Sequence, residues 1–355
     1  MTKEILVRDA WYIAGLSGDF QPDELHGQVI VGRPVLIWRT ASGRVAAFDD
    51  RCCHKRVPLS AGRVIEGRLL ECAYHGLCFD STGGCVRIPS QPEGKIPEQA
   101  RLKPLPVVEQ DGLVWVWPGN PGRAAGFKPP SLPEVDDESW GRVLSEPLRV
   151  PANSMLMIEN LLDITHFYPL HEGNIGDIEN SKIPVELEEG EAGGAPYVKT
   201  IRTVRDYKLP PDYQRMFGYD VVDRVHTHAM LGPGVSRVEL WVWPAGKLGD
   251  TASRRGYVAV HAHTPIDEKN HIYRWMINMP IGQPSGASGQ DDPLEIVKNT
   301  FPTVINQDLW ILEKQQRMFG FPDDGFSEVF LRSDLALRRA RQILTKMQKA
   351  ETESS

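Results

Sequence analysis

Two short clusters of thiol and imidazole constrain this chain more than any other feature. Cys52-Cys53-His54 and Cys72-Ala73-Tyr74-His75 set Cys-x-His and Cys-x-x-His on either side of a seventeen-residue spacer. Four such ligands can hold one structural zinc. They can also hold a [2Fe–2S] cluster in which two histidines replace two cysteines on one iron. The order of the ligands favours the second. A zinc finger usually takes two cysteines from one cluster and two histidines from the other. Here each cluster gives one of each, which suits one all-sulfur iron and one all-nitrogen iron, each drawing on both loops.

The stretch Cys72-Ala73-Tyr74-His75-Gly76-Leu77-Cys78-Phe79-Asp80, followed by Gly84-Cys85-Val86 and Ile88-Pro89, resembles the Rieske domain of the Rieske non-haem iron oxygenases. The resemblance implies that Cys52 and Cys72 ligate one iron and that His54 and His75 ligate the other. This chain has Cys53 and Lys55 where the family usually has Pro and Arg. Neither position is a ligand, and Lys55 keeps a cation near the cluster.

The 355 residues are enough for two domains, and the apolar fraction of 41% builds ordinary cores. A net charge of −7 argues against nucleic-acid partners and anionic membrane surfaces. Five cysteines, two of them proposed ligands, leave Cys53, Cys78 and Cys85. That odd remainder reads as reduced thiols and not as a secreted disulfide framework. The N-terminus carries no apolar signal core, and no apolar run approaches a membrane span. The expectation is a cytoplasmic protein.

Short β-branched segments such as residues 28–32, 34–38, 44–48 and 112–119, separated by Gly and Pro turns, predict a small β-sandwich or barrel over 1–120. It carries the ligand loops 52–55 and 72–76. Residues 121–145 read as a Pro/Gly/Asp-rich linker. Residues 146–345 mix both periodicities. Residues 153–166 read as helical, and 220–228, 236–243, 256–264 and 271–279 as strands. Residues 293–318 read as a helix broken at Pro302, and 333–350 as a polar terminal helix. Strands followed by packing helices predict an α+β domain on an antiparallel sheet, which the resemblance makes helix-grip-like. A polar tail is expected over 346–355. Residues 207–219, with Tyr213, Arg215, Met216 and Phe217 between turns, read either as a mobile lid or as an ordinary surface loop.

A cluster that only moves electrons needs an acceptor. Residues 159–171 supply His166 and His171 with carboxylates nearby, part of a 2-His-1-carboxylate set that suits ferrous iron by leaving one face open. Five residues on a regular helix turn through about 140°, poor for one metal. Pro169 between them disturbs the helix, so a bulge or helix end is expected there. Asp163 lies three before His166 and shares its face. The stretch is similar to the family's mononuclear-iron motif. That resemblance makes His166 and His171 ligands, sets Asn160 beside the iron, and makes Asp163 the carboxylate bridging the two metal centres. Residues 307–316 resemble the family's late helix, which assigns Asp308 as third ligand over Asp291, Asp292 and Glu313. Leu161, Ile164 and Phe167, interleaved with the motif, are candidates for an apolar substrate pocket or for helix core.

The resemblance implies a terminal oxygenase with a Rieske cluster, mononuclear Fe(II) and O2 as co-substrate. Its electrons come from a separate NAD(P)H-dependent flavin/iron-sulfur reductase, with or without a ferredoxin. It further implies a head-to-tail homotrimer, in which His75 of one subunit bonds Asp163 of the next and Asp163 holds His166. The 74–77 and 160–171 segments resemble the single-subunit-type oxygenases that include vanillate and dicamba O-demethylases. The first reading is therefore monooxygenation of an aromatic compound by oxidative O- or N-demethylation with release of formaldehyde. Ring or alkyl-carbon hydroxylation is the second. A Rieske electron carrier without a second iron would have no 2-His-1-carboxylate set, which this chain has, and a zinc-binding interaction module leaves residues 153–316 unexplained.

Overall fold

The computed structural model describes residues 5–283, 292–322 and 325–353. In the N-terminal domain the run Pro34 to Trp38 lies within the strand Arg33–Arg39, buried on both faces. Val35 and Ile37 enter one core, while Leu36 and Trp38 enter another with Phe48, Leu70, Phe79, Cys52 and Cys72. A continuous apolar run of this length is what a two-sided strand needs. It sits in a four-stranded sheet with Leu25–Ile30, Val45–Asp49 and Pro104–Leu105. A second small sheet, Arg63–Ile65, Leu69–Glu71, Cys78–Phe79 and Cys85–Arg87, supports the second ligand loop.

The C-terminal domain is built on an eight-stranded antiparallel sheet. Its order across the sheet is Trp140–Leu144, Asn270–Pro280, Arg255–Asp267, Val235–Pro244, Val221–Met230, Ala195–Lys208 and Glu186–Ala192, with Leu148–Val150 also paired to Asn270–Pro280. Alternation decides the faces. Along Arg255–Asp267, Tyr257 and Ala259 turn to the helices, while Val258, Val260 and Ala262 pack on Trp11, Trp115 and Trp117 of the N-terminal domain. The helices in chain order are α1 (Pro121–Ala124), α2 (Ser154–Leu162), α3 (Phe167–His171), α4 (Ile178–Lys182), α5 (Pro211–Phe217), α6 (Pro293–Met318) and α7 (Leu335–Glu353).

Five expectations change. The linker is not free of the sheet, because Trp140–Leu144 forms its edge against Asn270–Pro280. The helical stretch after 153 ends at Leu162, where Asp163 turns extended. α6 is one helix through Pro302. Pro302 and Lys298, the residue whose carbonyl loses its partner, both face solvent, so water satisfies the freed group. Residues 207–219 are neither lid nor surface loop. They enclose α5, whose Tyr213, Met216 and Phe217 are buried in the main core, with the Tyr213 hydroxyl 3.0 Å from that of Tyr257. Last, α7 runs on through the expected tail to Glu353. There Met347 packs on the N-terminal core, and Glu351 accepts from the Arg8 and Asp9 amides at 2.7 and 2.6 Å. No helix among the described residues is long and apolar enough to cross a membrane.

Candidate metal centres and active site

The two N-terminal ligand loops are the same turn used twice. The Cys52 amide donates to Val57 O at 2.9 Å and the Arg56 amide returns to Cys52 O at 2.9 Å. Likewise Cys72 donates to Leu77 O at 2.9 Å and Gly76 to Cys72 O at 3.0 Å. Each turn needs a left-handed residue at its fifth position, and Gly76 (φ 69°) and Arg56 (φ 60°) occupy it. Glycine takes that conformation freely; arginine holds it at a cost of about 1 kcal/mol. The turns bury both cysteines at 2% exposure and leave both histidines exposed, with their rings 4.5 Å apart.

Burial pushes the Cys52 thiol up to about 12, a backbone contact with His54 pulls the other way, and the facing Cys72 thiol raises it further. Two buried thiols in contact become thiolates only when a cation shares them. A single zinc is the wrong cation. Its four ligand atoms would lie within about 4 Å of one another. Among the described residues, the only group of three or more His, Cys, Asp or Glu with donor atoms all within 4.8 Å is elsewhere in the chain. The two loops offer sulfur inside and nitrogen at the surface, the division that a cluster with one all-sulfur and one all-nitrogen iron needs. Cys53 and Lys55 are exposed.

That compact group is His166, His171 and Asp308. The chain leaves α2 at Asp163, makes a short irregular stretch, and re-enters helix at Phe167 with His166 as the cap. The helix end lies before His166 and not at Pro169, where it was expected: His166 to His171 is itself one helical turn. Pro169 falls in the first turn of α3, where a missing N–H costs nothing. His166 and His171 stand at opposite ends of this one-turn helix, with ring centroids 5.2 Å apart.

Asp308 arrives from α6. The buried stripe of that helix runs Val297, Phe301, Val304, Ile305, Asp308, Leu312, so an acid occupies a position the helical repeat reserves for apolar residues. His171 Nε2 lies 3.1 Å and His166 Nε2 3.5 Å from Asp308 Oδ1. Asn160 Nδ2 donates to the same oxygen at 3.0 Å. Burial opposes ionisation of Asp308, but the two imidazoles outweigh it and hold the carboxyl far below its usual range. The competitors stand elsewhere. Asp292 caps α6, Glu313 pairs with Arg317 at 3.1 Å, and Asp291 lies outside the described residues.

The donor set fits a mononuclear iron on its own geometry. His171 is fully buried, and its Nδ1 sits 2.8 Å from Gln307 Oε1. A carbonyl oxygen only accepts, so Nδ1 keeps its proton, and Nε2, which faces Asp308 Oδ1 at 3.1 Å, is the nitrogen that gives up its hydrogen to offer a metal a lone pair. His166 Nε2 is buried without a hydrogen-bond partner, a cost that a metal removes.

Gln307 was not anticipated, although it adjoins Asp308 on α6 and both flank one imidazole. Within the single chain the Asp163 carboxylate is engaged by neighbours other than His166. Its carboxylate accepts from the Thr165 amide at 3.0 Å and from the Thr165 hydroxyl, with Arg202 Nη2 3.6 Å away. Phe167 lies beside the centre, its ring 5.0 Å from His166 and 5.5 Å from His171. Leu161 is half-buried against the sheet core, and Ile164 is fully buried. Five buried histidines on the inner sheet also escaped the sequence reading: His226, His228, His261, His263 and His271. For the first four the signal is His-x-His within strand segments, which puts both rings on one face; His271 stands alone in its strand.

Residues 10–108 match the Rieske [2Fe-2S] domain, and residues 150–350 match the vanillate O-demethylase oxygenase C-terminal domain. The iron-sulfur subunit of the toluene-4-sulfonate monooxygenase system of Comamonas testosteroni is 28% identical over 98% of both chains. A vanillate O-demethylase oxygenase subunit from Pseudomonas sp. (strain HR199 / DSM 7063) is 29% identical over 98% of this chain and 96% of its own. The fold superimposes on dicamba monooxygenase bound to 3,6-dichlorosalicylic acid with a TM-score of 0.86, covering 98% of this chain and 99% of that one at 24% identity. With both domains matched in order, the chain belongs to the Rieske non-haem iron oxygenases of the vanillate O-demethylase type, as an oxygenase component that uses a Rieske [2Fe–2S] cluster, a mononuclear iron and O2.

Proposed function

We propose that this oxygenase component removes a methyl group oxidatively from the oxygen or nitrogen of an aromatic compound. The observation that carries the reading is the compact His166, His171, Asp308 group, closed on the protein side by Gln307 and Asn160 and bordered by Phe167. His166, His171 and Asp308 would hold ferrous iron, and the bound iron would supply the O2-activating chemistry, with its electrons coming by way of the Rieske cluster. The chain's own work is positional. Gln307 keeps Nε2 of His171 free of a proton, Asn160 fixes Asp308, and Phe167 gives an apolar wall that favours an aromatic ring. In the overall reaction, one oxygen atom enters a methyl C–H bond and the other leaves as water, taking two electrons and two protons. The resulting hemiacetal, or hemiaminal from an N-methyl group, then splits into formaldehyde and a phenol or an amine respectively. The vanillate and dicamba enzymes among the relatives bear names of that chemistry.

The electron donor in this reading is an NAD(P)H-dependent flavin/iron-sulfur reductase, directly or through a ferredoxin. The chain assembles as a head-to-tail trimer in which His75 of one subunit meets Asp163 of the next. Exposure of His75 supports that contact. Asp163→Asn is expected to leave both metals bound and nearly abolish turnover, and full activity would remove the bridging role. The function itself is tested with iron-loaded protein, a surrogate reductase, and methoxy- and N-methyl-arenes. Formaldehyde near one per NADH consumed supports demethylation. Oxygenated product without formaldehyde would replace it with hydroxylation.

A further inference from the structure

A directed chain of hydrogen bonds ends in an unused acceptor beside the metal group. Leu161 O lies 2.5 Å from His228 Nδ1. A carbonyl cannot donate, so Nδ1 of His228 carries the hydrogen. Its Nε2 is then a lone pair, provided the ring is neutral. Burial holds the His228 pKa far below its usual value, and the Arg202 guanidinium holds it down further. His228 Nε2 is 3.0 Å from His226 Nε2, so His226 must be the donor there. That leaves Nδ1 of His226 with a lone pair, and this atom is buried without any partner. His226 is itself 2% exposed. Burial first, then His228, Arg224 and Arg202, keep it neutral as well.

The position matters as much as the tautomer. The His226 ring lies 6.2 Å from Phe167, which in turn touches both His166 and His171. Cross-strand register sets His226 between Arg202 and Leu240 on the inner face of the sheet. Phe167 therefore adjoins both the metal group and the ring that carries the orphaned acceptor.

We propose that His226 Nδ1 is the specificity-determining acceptor for the substrate, and that the substrate carries a phenolic hydroxyl on the side of its ring remote from the methyl group removed. The inference rests on the demethylase reading for which methyl group is meant, but not for the hydrogen bond itself. A hydroxyl donor satisfies the buried nitrogen. A methyl ether in its place brings a second acceptor against a lone pair and leaves both unpaired. Sites built around a buried polar partner reject an analogue lacking the matching group strongly.

The test is direct binding to the iron-loaded, resting protein by calorimetry, with matched pairs that differ only in hydroxyl against methoxy, such as 4-methoxyphenol and its 1,4-dimethoxy counterpart. The parent protein is expected to bind the phenol at least tenfold more tightly. His226→Leu is expected to erase the ratio, and His226→Gln, which keeps an amide oxygen acceptor, to restore part of it. Equal binding of the two members by the parent, or no binding of any phenol in the set, overturns the inference without recourse to a variant. Formaldehyde is scored separately. A tenfold phenol preference in binding with no formaldehyde would sink the demethylase reading and leave His226 in its role.

Discussion

His171 shows how much one neighbouring residue decides. Its imidazole is pinned from both sides by adjacent residues of α6, Nε2 toward Asp308 and Nδ1 toward Gln307. Without the Gln307 carbonyl the buried ring would lose the partner that selects its tautomer, and the form with its proton on Nε2, toward Asp308 and the metal position, would gain. Partners of this kind are worth about 10- to 100-fold in metal affinity. Gln307→Leu is therefore expected to weaken mononuclear iron binding by about that factor, while the visible spectrum of the Rieske cluster stays as in the parent. Competition against an iron chelator reads this, and an unchanged affinity would refute it. The histidines themselves were legible in sequence because their types and spacing form a pattern. Gln307 was not, because a glutamine acquires its role only from what the fold sets opposite it. The same holds for Arg202, whose link to Asp163 joins residues from a strand and a helix end far apart in sequence.

At the scale of the element, the short helix α3 bears the whole burden of bringing two ligands together. It is only one turn long, too short to be stable by itself, so its surroundings hold it. Leu170 and Gly176 close it by hydrogen bonds to His166 O at 3.0 Å and His171 O at 3.2 Å. Gly176 also passes directly over the backbone of Phe167, where a Cβ would collide with the carbonyl oxygen. That obstacle is rigid backbone and cannot swing aside. Gly176→Ala is expected to displace α3 and release the mononuclear iron, with acid-labile sulfide unchanged because the cluster sits in the other domain. Retention of all iron would show that the loop yields at little cost. Longer elements needed no such help and could be read in advance. The buried strands 235–244 and 255–267 and the amphipathic α6 announced themselves by their own periodicity. The hairpin Glu186–Ala192 and Ala195–Lys208 did not, because its first strand is largely exposed and acidic and takes its register from its partner.

For the molecule as a whole, the inner sheet is a reservoir of uncharged histidine. Burial lowers the pKa of His261 and His271 to about 4, and those of His226, His228 and His263 far below 6.5. Unfolding returns each ring to water, where it binds a proton near pH 6.5. The unfolded state thus holds more protons below that pH, and stability must fall as pH falls. For His261 and His271 alone the loss begins near 6.5 and continues to about 4. Each contributes about 1.4 kcal/mol by pH 5.5, from a total margin on the order of 5–15 kcal/mol. The three more deeply shifted histidines add to it. One neighbour acts in the opposite sense. In iron-free protein Asp308 raises the pKa of His171 despite its burial, and the stability this supplies is present at low pH and lost as pH rises through the raised value. The neutral rings outnumber it, so the iron-free protein is expected to lose on the order of 5 °C in Tm between pH 6.5 and 5.5. His271→Gln, which removes one of the titrating rings, should flatten that slope even if it lowers Tm at every pH. A Tm constant from pH 7 to 5 would mean that the sheet opens to water before it unfolds, and that the histidines facing the metal group take up protons with the fold intact.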